Sequence, residues 1–179
     1  MEAVPMERRL SSLELTALGV ILKRAPCNAH TVVTEFAGSQ TFAYRSGAGS
    51  IYPLLKRLTE IGLLSLDRKH YSLTEQGREA MRDWLRPPFP EADFSTNLDV
   101  LRSRAYFLKL LEPAEIDQFV SHCEANLATL LETCQTIQGK YQEAGDPFSE
   151  MAMEGTILET EARIEWIRHL GERFGTPRQ

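Results

Sequence analysis

Lys56 and Arg57 stand side by side in the run Ser46-Gly-Ala-Gly-Ser-Ile-Tyr-Pro-Leu-Leu-Lys-Arg-Leu-Thr-Glu-Ile-Gly62. The chemistry open to such a pair on a helix is electrostatic. An exposed lysine or arginine reaches phosphate oxygens, or the acceptor edge of guanine in a major groove. Tyr52 adds a hydroxyl that suits a phosphate, and Ser46 and Ser50 lie where the helix begins, at the end that favours anions. Gly49 permits close backbone approach, and Pro53 falls in the first turns, where a missing N–H costs little. Arg68 and Lys69, followed by His70, form a second small cationic group. Taken alone, Lys56-Arg57 reads first as a solvated helix face.

Other chemistries find less support. His30, His70, His122 and His169 are scattered, and none pairs with another ligand at a metal-binding spacing. Gly47-Ala-Gly49 lacks the lysine and hydroxyl of a phosphate-cradling loop, and no nucleophile–base–acid set is readable, so the chain is not expected to be an enzyme. No cofactor is expected. The three cysteines, Cys27, Cys123 and Cys134, include no Cys-x-x-Cys pair and read as buried thiols rather than a disulfide or zinc framework.

The elements that must position the cations follow from periodicity. Ser11-Ser-Leu-Glu14 is a capping box that opens a first helix, with Lys23 and Arg24 in its last turn and Pro26 beyond. Asn28 caps a second helix to about Phe36, and Thr41 to Tyr44 reads as a short strand. In the third helix Ile51, Leu54, Leu55, Leu58 and Ile61 make one stripe, leaving Tyr52, Pro53 and Lys56 opposite and Arg57 on the flank. Leu64 and Leu66, then Tyr71 and Leu73, alternate as two strands around a turn at Asp67 to Lys69. Thr74 caps a helix to about Leu85, and Arg86-Pro-Pro-Phe-Pro90 ends the domain.

These motifs together resemble the PadR-like winged-helix transcriptional regulators. The resemblance is carried by Gly49, Ser50, Ile51, Tyr52, Pro53, Leu54, Leu55, Lys56, Arg57 and Leu58, and by Tyr71, Leu73, Thr74, Gly77 and Arg78. It implies a mainly α fold with a small β-hairpin. An N-terminal winged helix-turn-helix would occupy residues 1–86, a Pro-rich linker 87–96, and a C-terminal antiparallel helical dimerisation domain 97–179. It further implies a homodimer that binds double-stranded DNA as a repressor and is released by a small-molecule effector. Two departures stand out: the wing is short, and Cys-Asn-Ala-His30 replaces the Gly-Tyr pair common after the first helix.

Charge fits that division. Residues 1–90 hold 12 Lys/Arg against 9 Asp/Glu, whereas residues 91–179 hold 8 against 16. The modest positive half would need two copies for tight DNA binding. In the second half, helices are expected over Asn97 to Leu111, Pro113 to Glu143 and Ser149 to Phe174. Ile116, Val120, Cys123, Leu127, Leu130, Cys134, Ile137 and Tyr141 step by alternating fours and threes, a heptad seam. Such a seam packs on another long helix, either in a second subunit as the dimer interface or within the same chain. Trp166, Phe107 and Trp84 are candidate surfaces for a small aromatic effector, with core packing at helix ends the favoured reading for both tryptophans. No membrane segment is evident, and the opening ten residues lack a signal-peptide core, so a cytoplasmic protein is expected. A winged-helix protein-interaction adaptor and a thiol redox-sensing regulator are the rival readings.

Overall fold

The computed structural model describes residues 9–94 and 99–177. The chain divides into two compact units, Met1–Ser95 and Thr96–Gln179. Residues 1–8 of the opening segment, the expected Asn97 helix origin and the last two residues lie outside the described residues.

In the first unit, α1 spans Ser12–Arg24 and opens as expected: Ser11 Oγ accepts from the Glu14 N–H, and the Glu14 carboxylate accepts from the Ser11 N–H. Helix α2 spans Ala29–Ala37, with the Asn28 side chain accepting from the Thr31 N–H at 2.9 Å. The strand expected at Thr41 to Tyr44 does not form. Phe42–Gly47 is helical instead, and we label it α3. Tyr44 explains the override: its ring meets Phe36 edge-on at 5.7 Å, and its hydroxyl accepts from Thr16 at 3.1 Å. Tertiary packing outweighs local β-propensity here.

A 3₁₀ turn at Ala48–Ser50 leads into α4, Ile51–Glu60, the helix that carries the cation pair. Ile51, Leu54, Leu55 and Leu58 are buried as its stripe requires, but Ile61 is 44% exposed because the helix has ended and Gly62 turns the chain at φ 79°. The strands β1 (Leu64–Asp67) and β2 (His70–Leu73) pair antiparallel, with Leu64 opposite Leu73 and Asp67 opposite His70. Cys27 adds a single bridge to Tyr71, a contribution to the sheet that sequence patterning does not suggest. Helix α5, Glu75–Leu85, is capped by Thr74, whose hydroxyl accepts from the Gly77 N–H and donates to the Gly62 carbonyl. A Cβ at Gly77 would strike the Leu63 carbonyl oxygen, so the glycine of the Tyr-x-Leu-Thr-x-x-Gly motif is a packing requirement.

The second unit opens with α6, Val100–Ala105, started by the Asp99 carboxylate accepting from the Leu101 N–H at 2.9 Å. The continuous helix expected to Leu111 is interrupted, and Leu108–Leu110 is 3₁₀. Ala105, Leu108 and Leu111 step by three, and three residues per 3₁₀ turn keep all of them against the core. Helix α7 runs over Pro113–Glu143 with a Glu112–Glu115 capping box, and α8 over Pro147–Phe174, two residues earlier than expected, with Asp146 as its cap.

The seam on α7 does not wait for a second subunit. Ile116, Val120, Cys123 and Leu127 are buried in one cluster with Ile164, Ile167 and Leu170 of α8 in the same chain. Cys134 is fully buried, while Leu130, Ile137 and Tyr141 are half-buried. Ile116, Val120, Cys123 and Leu127 thus serve the core of a helical hairpin, whereas Leu130, Ile137 and Tyr141 keep part of their surface. Heptad spacing specifies a helical neighbour but not which chain supplies it.

Candidate nucleic-acid interface

Burial of one face of α4 leaves the opposite face outward. Tyr52 is 57% exposed, and Pro53 and Lys56 are exposed beside it. Lys56 reaches Glu60 one turn on at 3.8 Å, a loose pair that competes weakly with a stronger anion. Ser50 precedes α4 without capping it through its side chain. Gly49 lies exposed in the 3₁₀ turn, and a Cβ there would meet nothing within 4 Å. The protein's own packing thus gives no reason for glycine at position 49. Ser46 belongs to the end of α3 in its backbone; its side chain lies outside the described residues.

Arg57 departs from expectation. Its guanidinium forms an ion pair with the buried Glu14 of α1 rather than facing outward with Lys56. Of the adjacent cations, one faces solvent and the other is tied into the fold.

The hairpin tip is a two-residue turn, with Arg68 at φ 43° and Lys69 at φ 74°. These are left-handed conformations that the tight hairpin turn demands and that glycine or asparagine adopt more easily. The tip cations, with His70, line a cleft of about 480 Å³ shared with Tyr52 of α4 and Asn28, Ala29 and His30 at the start of α2. Leu66 and Tyr71, opposite one another across the strands, supply apolar wall. Leu66 is 51% exposed, although it was expected to alternate inward with Leu64. The hairpin projects past the edge of the core, so its inward-facing tip residues meet the cleft instead. His30, Leu66 and Tyr71 are absent from the sequence-derived set. The opposed positions of Leu66 and Tyr71 near a basic tip were the available signal.

The remaining sequence candidates are dispersed. Trp84 is exposed at the end of α5 in the first unit, against the core packing expected of it. In the second unit Trp166 packs half-buried on the α7–α8 core, as its core reading anticipates, and Phe107 is 66% exposed. A polar cleft of about 410 Å³, lined by residues including Asp117, Glu124, Arg168 and Thr176, contains none of these aromatics. The thiols of Cys27, Cys123 and Cys134 are buried, and burial pushes each above its ordinary value. Among the described residues no group of His, Cys, Asp and Glu could hold a metal ion, and no helix is long and apolar enough to cross a membrane.

Residues 18–83, which include α2, α4, the hairpin and most of α1 and α5, match the family described as the transcriptional regulator PadR-like family. Over 142 residues the chain is 28% identical to the negative transcriptional regulator PadR of Bacillus subtilis, covering 73% of each protein. Over residues 18–83 the chain is similar to the PadR-like family. The fold of this PadR-like chain agrees with solved relatives. The crystal structure of Bacillus subtilis PadR with p-coumaric acid superposes with a TM-score of 0.73 at 20% identity, covering 97% of this chain and 98% of that one. The complex of the same regulator with operator DNA gives 0.71 at 19% identity, covering 94% and 98%. The PadR-like motif residues thus acquire physical roles: Leu54, Leu55 and Leu58 hold α4, Gly77 admits the Leu63 carbonyl, and Thr74 ties α5 to the end of α4.

Proposed function

We propose that this chain is a DNA-binding transcriptional repressor, acting in the cytoplasm as a homodimer and released from its operator by a small aromatic effector. One observation carries the DNA reading. Helix α4 buries its apolar stripe and turns Tyr52, Pro53 and Lys56 outward, beside a cleft rimmed by Arg68 and Lys69. That arrangement suits insertion of α4 into a major groove, with the tip cations on flanking phosphates. Ser46, Gly49 and Ser50 join it at the start of the helix. Arg57 is removed from the contact set, since its charge is engaged by Glu14. The roles are binding roles throughout; no residue in this set is assigned to catalysis.

Residues 1–86 act as the DNA-binding part, 87–96 as linker and 97–179 as the dimerisation and effector part. Self-association uses the half-buried seam residues Leu130, Ile137 and Tyr141 together with the apolar side chains left exposed in the second unit. Phe148, Met151 and Leu158 lie along one side of α8, and Val100, Tyr106 and Leu110 are exposed at its beginning. Exposed apolar groups in this number favour burial against a second copy. The effector reading draws on the relative crystallised with p-coumaric acid. Phe107 and Trp166 remain the aromatic surfaces proposed for it here, with Trp84 in the first unit. The redox-sensor reading loses ground, because buried thiols with raised pKa values are poor thiolates.

Selection of the full-length protein on random duplexes at fixed salt tests the proposal. A recovered inverted repeat, bound by wild type and weakened uniformly by Lys56→Ala with a salt slope shallower by about one unit, is expected. Failure to enrich any duplex sinks the regulator reading and favours a protein-interaction adaptor.

A further inference from the structure

Glu14 is a carboxylate held at 4% exposure, at a position where burying an unpaired charge would be prohibitive. One oxygen accepts the Ser11 N–H at 2.8 Å, closing the capping box of α1. The other receives Nη2 of Arg57, which comes from α4, 43 residues away in sequence. A cap that normally concerns one helix is here shared between two. At the other end of α4, Ser50 makes no side-chain cap hydrogen bond.

Apolar packing of Ile51, Leu54, Leu55 and Leu58 buries a face, but such contacts are non-directional. They permit a helix to roll slightly about its axis. A charge-assisted guanidinium–carboxylate bond is directional. Arg57 follows Lys56 by one residue, so fixing the azimuth of Arg57 fixes that of Lys56, and of Tyr52 one turn earlier. Buried ion pairs add little net stability compared with apolar replacements, and their better-supported use is to select one arrangement.

We propose that Glu14 and Arg57 are positioning residues for operator recognition: their ion pair sets the roll of α4 against α1, and Arg57 makes no phosphate contact. The inference rests on the DNA-binding reading above. It makes an electrostatic prediction opposite in sign to the simple one. Removing the negative charge of Glu14 from a DNA-binding domain should, by Coulomb's law alone, strengthen binding to any duplex. If the pair positions α4, operator affinity falls instead.

The test uses full-length protein, the selected operator and a random-sequence duplex of the same length, over a salt series. Glu14→Gln is expected to bind the operator about tenfold more weakly, the scale of one lost coupled contact, while random-duplex affinity stays level or rises. Arg57→Gln is expected to do the same with an unchanged salt slope, and Arg57→Lys to recover part of the loss. The apolar pair Glu14→Met with Arg57→Leu guards against unfolding. It should melt no lower than wild type, yet lose operator-to-random discrimination. An operator affinity for Glu14→Gln equal to or above wild type overturns the proposal. So does a salt slope reduced by about one in Arg57→Gln, which would make Arg57 a phosphate contact, or full discrimination in the apolar pair. Wild type that binds no duplex refutes the DNA-binding reading itself; wild type that binds while the variants discriminate normally refutes only the positioning role.

Discussion

Helices α4 and α7 carry equally regular apolar stripes, yet they end in opposite situations. In α4 the stripe is consumed by the core of its own unit, and what remains outward is polar and cationic: Tyr52 and Lys56. In α7 the first half of the stripe is likewise consumed, by α8, but the hairpin still leaves large apolar groups such as Phe148 and Met151 in solvent. A stripe reports that a face is buried. The residues off the stripe report what the element is for. On that basis α4 is a surface for an anion, and the helical hairpin is a surface for another apolar surface.

The sharpest way to break this contrast is to charge the seam. Leu127→Glu with Leu130→Glu should unfold the second unit, at a cost above about 4 kcal/mol, because the carboxylate at position 127 would sit unpaired in the α7–α8 core. Thermal melting followed by circular dichroism checks it. A double variant that melts like wild type but sediments as a monomer would return the seam to an interface between subunits.

A pair of glycines sharpens the same distinction between fold and surface. Gly77→Ala is expected to cost about 3 kcal/mol, since its Cβ would overlap the Leu63 carbonyl oxygen. Gly49→Ala, with open space around it, should leave the melting temperature unchanged and weaken operator binding by limiting close approach. Melting and operator titration on both variants decide it; a destabilised Gly49→Ala would show that this turn is a folding element and not a contact surface.

The smallest effect concerns the thiols. Burial holds Cys27, Cys123 and Cys134 above the ordinary 9.0, so the unfolded chain ionises first. Stability should therefore be flat with respect to these groups below that value and decline as pH rises through and beyond it. Denaturant titrations between neutral and alkaline pH measure this, and replacing Cys134 with alanine should remove part of the slope. Rapid labelling of native Cys123 or Cys134 at neutral pH would contradict their burial.

Much of the first unit is legible from local pattern, for local reasons. The Ser11–Glu14 cap, the Asn28 cap, the α4 stripe and the register of the hairpin each depend on residues a few positions apart. The misses are non-local. Thr41 to Tyr44 reads as β-strand until Tyr44 is seen against Phe36 and Thr16. Arg57 reads as the twin of Lys56 until Glu14 is seen beneath it. The shortening of α6 follows from a change of helical pitch that keeps Leu108 and Leu111 inward, which periodicity computed at one pitch misses. The cleft is intermediate: its cations were evident from sequence, whereas His30 reaches it only through the fold.

The hairpin turn has one more consequence. Arg68 and Lys69 both occupy left-handed backbone, where Asn-Gly would rest with less strain. A chain selected only to close this hairpin would therefore be expected to carry a different dipeptide. Holding two long basic side chains at a site that disfavours them is a recurring conformational tax, of the order of 1 kcal/mol per residue. The wing is short in reach but expensive in sequence. Relaxing it to Asn-Gly should make a sturdier protein that is a poorer ligand for a polyanion, so folding and recognition are set against each other within two residues.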